Sequence, residues 1–119
     1  MDKRVKHGSY GEHTVSGYLQ ALGYNILAKN YKKAHGEIDI IANDKGCIVF
    51  IEVKYRRNTS FGHPIESITK KKAAAIINTA HIYLNNNNLE DNDCRFDVIE
   101  VFGQELLEIN HIKNAFWES

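Results

Sequence analysis

Val15, Tyr18, Leu19 and Leu22 recur at i, i+3, i+4 and i+7. That spacing is the stripe of an amphipathic helix running from Tyr10 to Leu22, with Gly23 as its stop. Residues 25–31 (NILAKNY) read as a short edge strand. Residues 37–42 (EIDIIA) and 47–55 (CIVFIEVKY) are β-branched-rich runs separated by the turn formers Asn43-Asp44-Lys45-Gly46, which predicts a β-hairpin. In its second strand Ile48 and Phe50 lie on one side and Val49, Ile51 and Val53 on the other, so this strand is expected in the middle of a sheet covered on both faces. Thr69 is placed to cap a helix reaching about Leu84, with Ala73, Ile76, Ile77, Ala80 and Leu84 at helical spacing and the Asn85 to Asn88 run ending it. Residues 94–102 (CRFDVIEVF) and 106–112 (LLEINHI) add two strands. The expected fold is one α/β domain over residues 1–119, a mixed sheet of about five strands flanked by helices.

Composition narrows the class. With 119 residues and 43% hydrophobic content the chain fills one core. One Pro, eight Gly and the absence of any apolar run near the ~18 residues of a membrane span argue against disordered, collagenous and transmembrane classes. No membrane partner is expected. Cys47 and Cys94 show no metal-ligand or redox spacing and are expected to be small buried thiols. Lys3, Arg4 and Lys6 are not followed by an apolar run of the kind that marks secretion, so a cytoplasmic location is the default expectation.

The candidate chemistry lies in the hairpin. Glu52 and Lys54 interrupt an otherwise apolar strand at i and i+2 and so share one face. Ionised groups there are costly unless paired or bound to metal. If the hairpin loop has two or four residues, antiparallel pairing sets Asp39 opposite Glu52 or one pair diagonally along, with Cβ atoms roughly 5–8 Å apart. Two carboxylates that close repel unless a cation lies between them, and oxygen donors with room for water suit Mg²⁺ or Mn²⁺. Lys54 is then in position to hold an attacking water or neutralise a scissile phosphate, which is the chemistry of phosphodiester hydrolysis. Glu12 lies on the inward stripe of the first helix; if that helix packs over the face bearing Asp39 and Glu52, it completes the metal shell. A cross-strand ion pair is the plain structural alternative for the hairpin acids, and a first-turn acid favoured by the helix dipole is the alternative for Glu12.

Charge adds a partner. Fifteen Lys plus Arg balance fifteen Asp plus Glu, so bulk charge does not hold the chain to a polyanion. From Lys54 to Lys72, however, Lys54, Arg56, Arg57, Lys70, Lys71 and Lys72 face one acid, Glu66, while residues 89–119 hold eight acids and two basic residues. The cations are gathered just downstream of the acidic strand end, where nucleic-acid phosphates would lie. His63, Tyr31 and Tyr55 carry no weight in this reading.

GEIDII (Gly36 to Ile41) followed by FIEVKYRR (Phe50 to Arg57) resembles the D…(D/E)xK signature of the PD-(D/E)xK nuclease superfamily. From GEHTVSGYL through FGHPIESIT and KKKAAAI to RFDVIEV and INHIKNAF, nearly the whole chain resembles the YraN-like family of small bacterial proteins, which is similar to archaeal Holliday-junction resolvases. Ile38 rather than Pro precedes Asp39, as in that family. The resemblance implies a restriction-endonuclease-like core, DNA as substrate and a homodimer. Carried over by position, it implies that Asp39 and Glu52 are metal ligands, Lys54 the catalytic lysine and Glu12 the acid on the first helix. The leading expectation is therefore a Mg²⁺- or Mn²⁺-dependent endonuclease acting on DNA, branched forms included. Arg56, Arg57, Lys70, Lys71 and Lys72 would bind backbone phosphates. The runners-up are a non-catalytic nucleic-acid-binding module of the same fold, and a protein-interaction domain in which the acids and Lys54 form a buried ion network.

Overall fold

The computed structural model describes residues 3–33, 35–56, 68–103 and 106–117, with backbone alone for residues 3–10. Two helices and five strands follow one another as α1 (Lys3–Ala21), β1 (Asn25–Lys33), β2 (Gly36–Asp44), β3 (Cys47–Arg56), α2 (Lys70–Asn86), β4 (Cys94–Phe102) and β5 (Glu108–Phe116). The strands form one sheet in sequence order. All neighbours are antiparallel except β3 and β4, which run parallel because α2 carries the chain back across the sheet between them.

β3 is the middle strand, as its doubly apolar sequence requires. Ile48 and Phe50 join Ile76, Ile77, Ala80, Tyr83 and Leu84 of α2 in one core layer. Val49 and Ile51 join Val15 and Leu19 of α1 in the layer on the other face. Most of these side chains are fully buried, each contributing on the order of 1.5–3 kcal/mol. The Thr69 hydroxyl accepts the Lys72 amide at the start of α2 as expected.

The hairpin turn is Lys45-Gly46, with φ of 52° and 95°, the left-handed pair that matches strand twist. The Asn43 side chain accepts the Gly46 amide at 2.7 Å and fixes it.

Several boundaries differ from the sequence reading, three of them with an identifiable local cause. α1 begins at Lys3, because apolar spacing marks only the turns that face the core. It ends before Leu22, which is exposed: Tyr24 N–H reaches Leu19 O and Gly23 N–H reaches Gln20 O, a glycine-terminated cap that turns Leu22 outward. β5 runs to Phe116 because a bulge absorbs Asn114 at φ 53°. The cysteines also differ from expectation, since Cys47 is half-buried and Cys94 exposed.

Candidate functional site

The β2–β3 ladder runs from Asp44↔Cys47 to Ile40↔Ile51 and stops. One further step in that register would set Asp39 opposite Glu52. Instead the strands part, and the Asp39 carboxylate takes the place of a strand partner, accepting the Val53 amide at 2.8 Å. The other neighbour of β2 is irregular at the same level. Asn30 of β1, between the pairs Lys29↔Ile40 and Tyr31↔Ile38, has φ 51°. Side-chain alternation breaks there, so that Ile38 packs in the α2 layer and Ile40 in the α1 layer. Asp39, between them, lines a cavity on each face.

The cavity on the α2 side, about 170 Å³, is lined by His35, Gly36, Glu37, Asp39, Glu52, Lys72, Ala75 and Ile76. β2 approaches α2 closely here: a Cβ on Gly36 would overlap Thr79 Oγ1 and stand 2.7 Å from the Ala75 carbonyl. Glu52, only 8% exposed, meets two ammonium groups at one oxygen. Lys72 Nζ lies 2.8 Å and Lys54 Nζ 3.4 Å from its Oε1. Burial, reinforced by the Glu52 charge, pushes the Asp39 carboxyl up to about 6. Burial and Lys72 hold Lys54 below the ordinary lysine range. Burial also works against the charge on Lys72, but Glu52 outweighs it and raises that group.

The cavity on the α1 side, about 120 Å³, brings Glu12, Ser16 and Tyr55 to the other flank of Asp39. The expectation that α1 covers the face bearing Glu52 is therefore corrected. α1 lies over the odd-numbered side chains of β3, Glu52 points towards α2, and Glu12 is exposed beside Asp39 alone. The expected three-acid convergence becomes a pair plus a separate neighbour. Among the described residues no group of three His, Cys, Asp or Glu side chains is gathered for a metal ion. Tyr55 is pushed up to about 12 by burial and by the charges of Glu12 and Asp39.

Of the expected phosphate contacts, Lys70 and Lys71 are exposed on the first turn of α2, and Lys72 is turned onto Glu52. Arg56 pairs with Glu100 of β4, a carboxylate 2% exposed. Arg57 and His63 lie outside the described residues. Tyr31 is a core residue, edge-on to Tyr83 with ring centroids 5.1 Å apart.

The sequence reading missed a second ionic cluster, beside α1 on β4 and β5. Asp97, fully buried, faces Arg95 Nε at 3.1 Å, His111 Nε2 at 2.7 Å and the Asn114 amide at 3.1 Å. Arg95 also reaches Asp44 at 3.1 Å and the Tyr24 hydroxyl at 2.6 Å, and His111 Nδ1 lies 2.9 Å from the Tyr18 hydroxyl. Burial alone would raise Asp97, but the hydrogen bonds from His111, Asn114 and Arg95 outweigh it and lower the group. The signal was available, since Asp97 and Glu100 interrupt an apolar strand just as Glu52 does.

The model of the "Uncharacterised protein family UPF0102" matches residues 11–101. A UPF0102 protein of Clostridioides difficile (strain 630) is 50% identical over 118 residues, covering 98% of this chain and 100% of that protein. One from Sulfurihydrogenibium sp. (strain YO3AOP1) is 46% identical over 98% of this chain and 97% of its own length. Another, from Lachnoclostridium phytofermentans, is 48% identical over 98% of this chain and 96% of its own length.

Proposed function

The chain belongs to the UPF0102 family, and from that premise we propose that it is a Mg²⁺- or Mn²⁺-dependent endonuclease of the PD-(D/E)xK kind, hydrolysing phosphodiester bonds in DNA. One observation carries the reading: Asp39 is locked by the Val53 amide into the gap where β2 leaves β3, on the same cavity as Glu52 and Lys72, with Lys54 at the Glu52 carboxylate. Asp39 is held towards its protonated form by burial and by Glu52, which outweigh the opposing pull of Lys72, and the two lysines are drawn onto Glu52. Oxygen donors around a cavity with room for water suit a small hard cation, which typically keeps several waters and takes one or two carboxylates.

Asp39 and Glu52 would hold that ion. Bound there, it would supply an acidified water and charge stabilisation for the phosphate. Val53 fixes the Asp39 carboxylate through a backbone amide, so its aim is set by the strand. Lys54, anchored on the same face of β3 and lowered by burial and Lys72, orients the attacking water and donates to a phosphate oxygen. Lys70 and Lys71, exposed at the start of α2, take backbone phosphates and set register without reading sequence. Glu12 reaches the reaction only through Asp39, from the other face.

The test is to incubate the purified protein with linear, nicked, flapped and four-way DNA in Mn²⁺. We expect cleavage of at least one form and its loss in Asp39→Ala and Lys54→Ala. If none is cut, the activity is excluded; if both variants cut as wild type does, its assignment to Asp39 and Lys54 is excluded. Salt-sensitive DNA binding that survives Asp39→Ala would then leave a nucleic-acid-binding module.

A further inference from the structure

Lys72 was expected among the phosphate contacts, yet it is the closer of the two ammonium groups at Glu52, 2.8 Å against 3.4 Å for Lys54. The two differ in how they are held. Lys54 belongs to the central strand two residues from Glu52, with 22% of its side chain exposed, whereas Lys72 reaches in from the first turn of α2 and is 42% exposed. Lys54 is the more enclosed of the two and has less room to swing away. A half-exposed lysine on a helix needs only new side-chain torsions. Its neighbours Lys70 and Lys71 are exposed on the same turn, and α2 has no acidic residue there. Three cations at a helix start oppose the helix dipole, and phosphate is the partner that relieves them.

We propose that Lys72 is a tethered cation that neutralises Glu52 in the metal-free protein, gives way when a divalent ion binds, and then joins Lys70 and Lys71 on the nucleic-acid backbone. The inference rests on the metal-dependent reading of Asp39 and Glu52. It makes metal and DNA binding mutually favourable, because each removes Lys72 from competition with the other, and such coupling is reciprocal.

Manganese titration by calorimetry tests it without catalysis. Lys72→Met keeps the stem and removes the charge, so Mn²⁺ should bind roughly tenfold more tightly than to wild type, within the range of ordinary site coupling. Lys70→Met should bind as wild type does. In DNA binding, Lys72→Met should lower the slope of log affinity against log salt by about one in the Mn²⁺-loaded protein and leave it unchanged in the metal-free protein. Thermal melting checks folding, and Lys72→Gln repeats the series should the Met variant not fold. Unchanged or weaker Mn²⁺ binding in a folded Lys72 variant overturns the proposal, as does a slope that changes equally with and without metal. If Mn²⁺ binds neither wild type nor the variant, the metal reading itself fails. If wild type binds Mn²⁺ but cuts no DNA, only the nuclease activity is lost, and the titration still decides the role of Lys72.

Discussion

Asp97 and Asp39 are aspartates on the two strands that flank β3, and their surroundings differ in kind. Asp97 is fully buried and meets a guanidinium, an imidazole and a backbone amide. Asp39 has one amide and a second carboxylate nearby. The first group is lowered and the second raised. A carboxylate whose partners are complete holds a fold together; one left short of positive charge costs stability and marks the place where something else binds.

Asp97→Ala should sharpen the contrast most. It leaves Arg95 and His111 without their shared partner and should cost about 3–5 kcal/mol, read by urea denaturation. A loss below ~1 kcal/mol would mean that the cluster is ornamental.

Asp39→Asn should act in the opposite direction. Asn still accepts the Val53 amide, and the repulsion with Glu52 disappears. Because the Asp39 carboxyl is raised from 3.8 to about 6 in the folded protein, its favourable contribution is complete below about pH 4 and is lost as pH rises through about 6. Metal-free Asp39→Asn at pH 8 should therefore be more stable than wild type, by up to about 3 kcal/mol, while failing to bind Mn²⁺. Asp97, being lowered, obeys the reverse sign: its contribution is present above the unfolded carboxylate range and is lost on acidification. Chemical denaturation between pH 3 and pH 8 should show the Asn variant losing the fall between pH 4 and 6 and keeping the acid limb. A wild-type and variant pair with parallel profiles would erase the distinction between the two aspartates.

Smaller changes probe the supports of each aspartate. Gly36→Ala, overlapping Thr79 beneath the Asp39 cavity, should cost about 1–3 kcal/mol and weaken Mn²⁺ binding, because β2 must move from α2. Tyr18→Phe removes one hydroxyl from His111 and should cost about 1 kcal/mol in a thermal melt, with Mn²⁺ affinity unchanged.

The hairpin and its acids were legible because two simple periodicities coincide. The run CIVFIEVKY demands a strand covered on both faces, and a tight turn at Lys45-Gly46 then fixes which residues meet. What sequence spacing does not carry is the place where a ladder ends. The split at Ile40 lies level with a positive Asn30 φ on a different strand, and the face chosen by α1 depends on which side of β3 that helix fits. Glu12 therefore reaches Asp39 from the flank opposite to Glu52. Asp97 and Glu100 escaped for a different reason: three residues apart in RFDVIEV, they fall on opposite faces of the strand, so no shared-face pair drew attention to them.

The tight turn has a consequence at the far end of its hairpin. Every residue between Lys45-Gly46 and Asp39 is counted off by the ladder, so the bend works as a ruler whose zero lies well away from the chemistry. Lengthening that bend by one residue would leave each side chain of the site intact in composition, yet slide β2 against β3 and deliver a hydrocarbon to the position the carboxylate now holds.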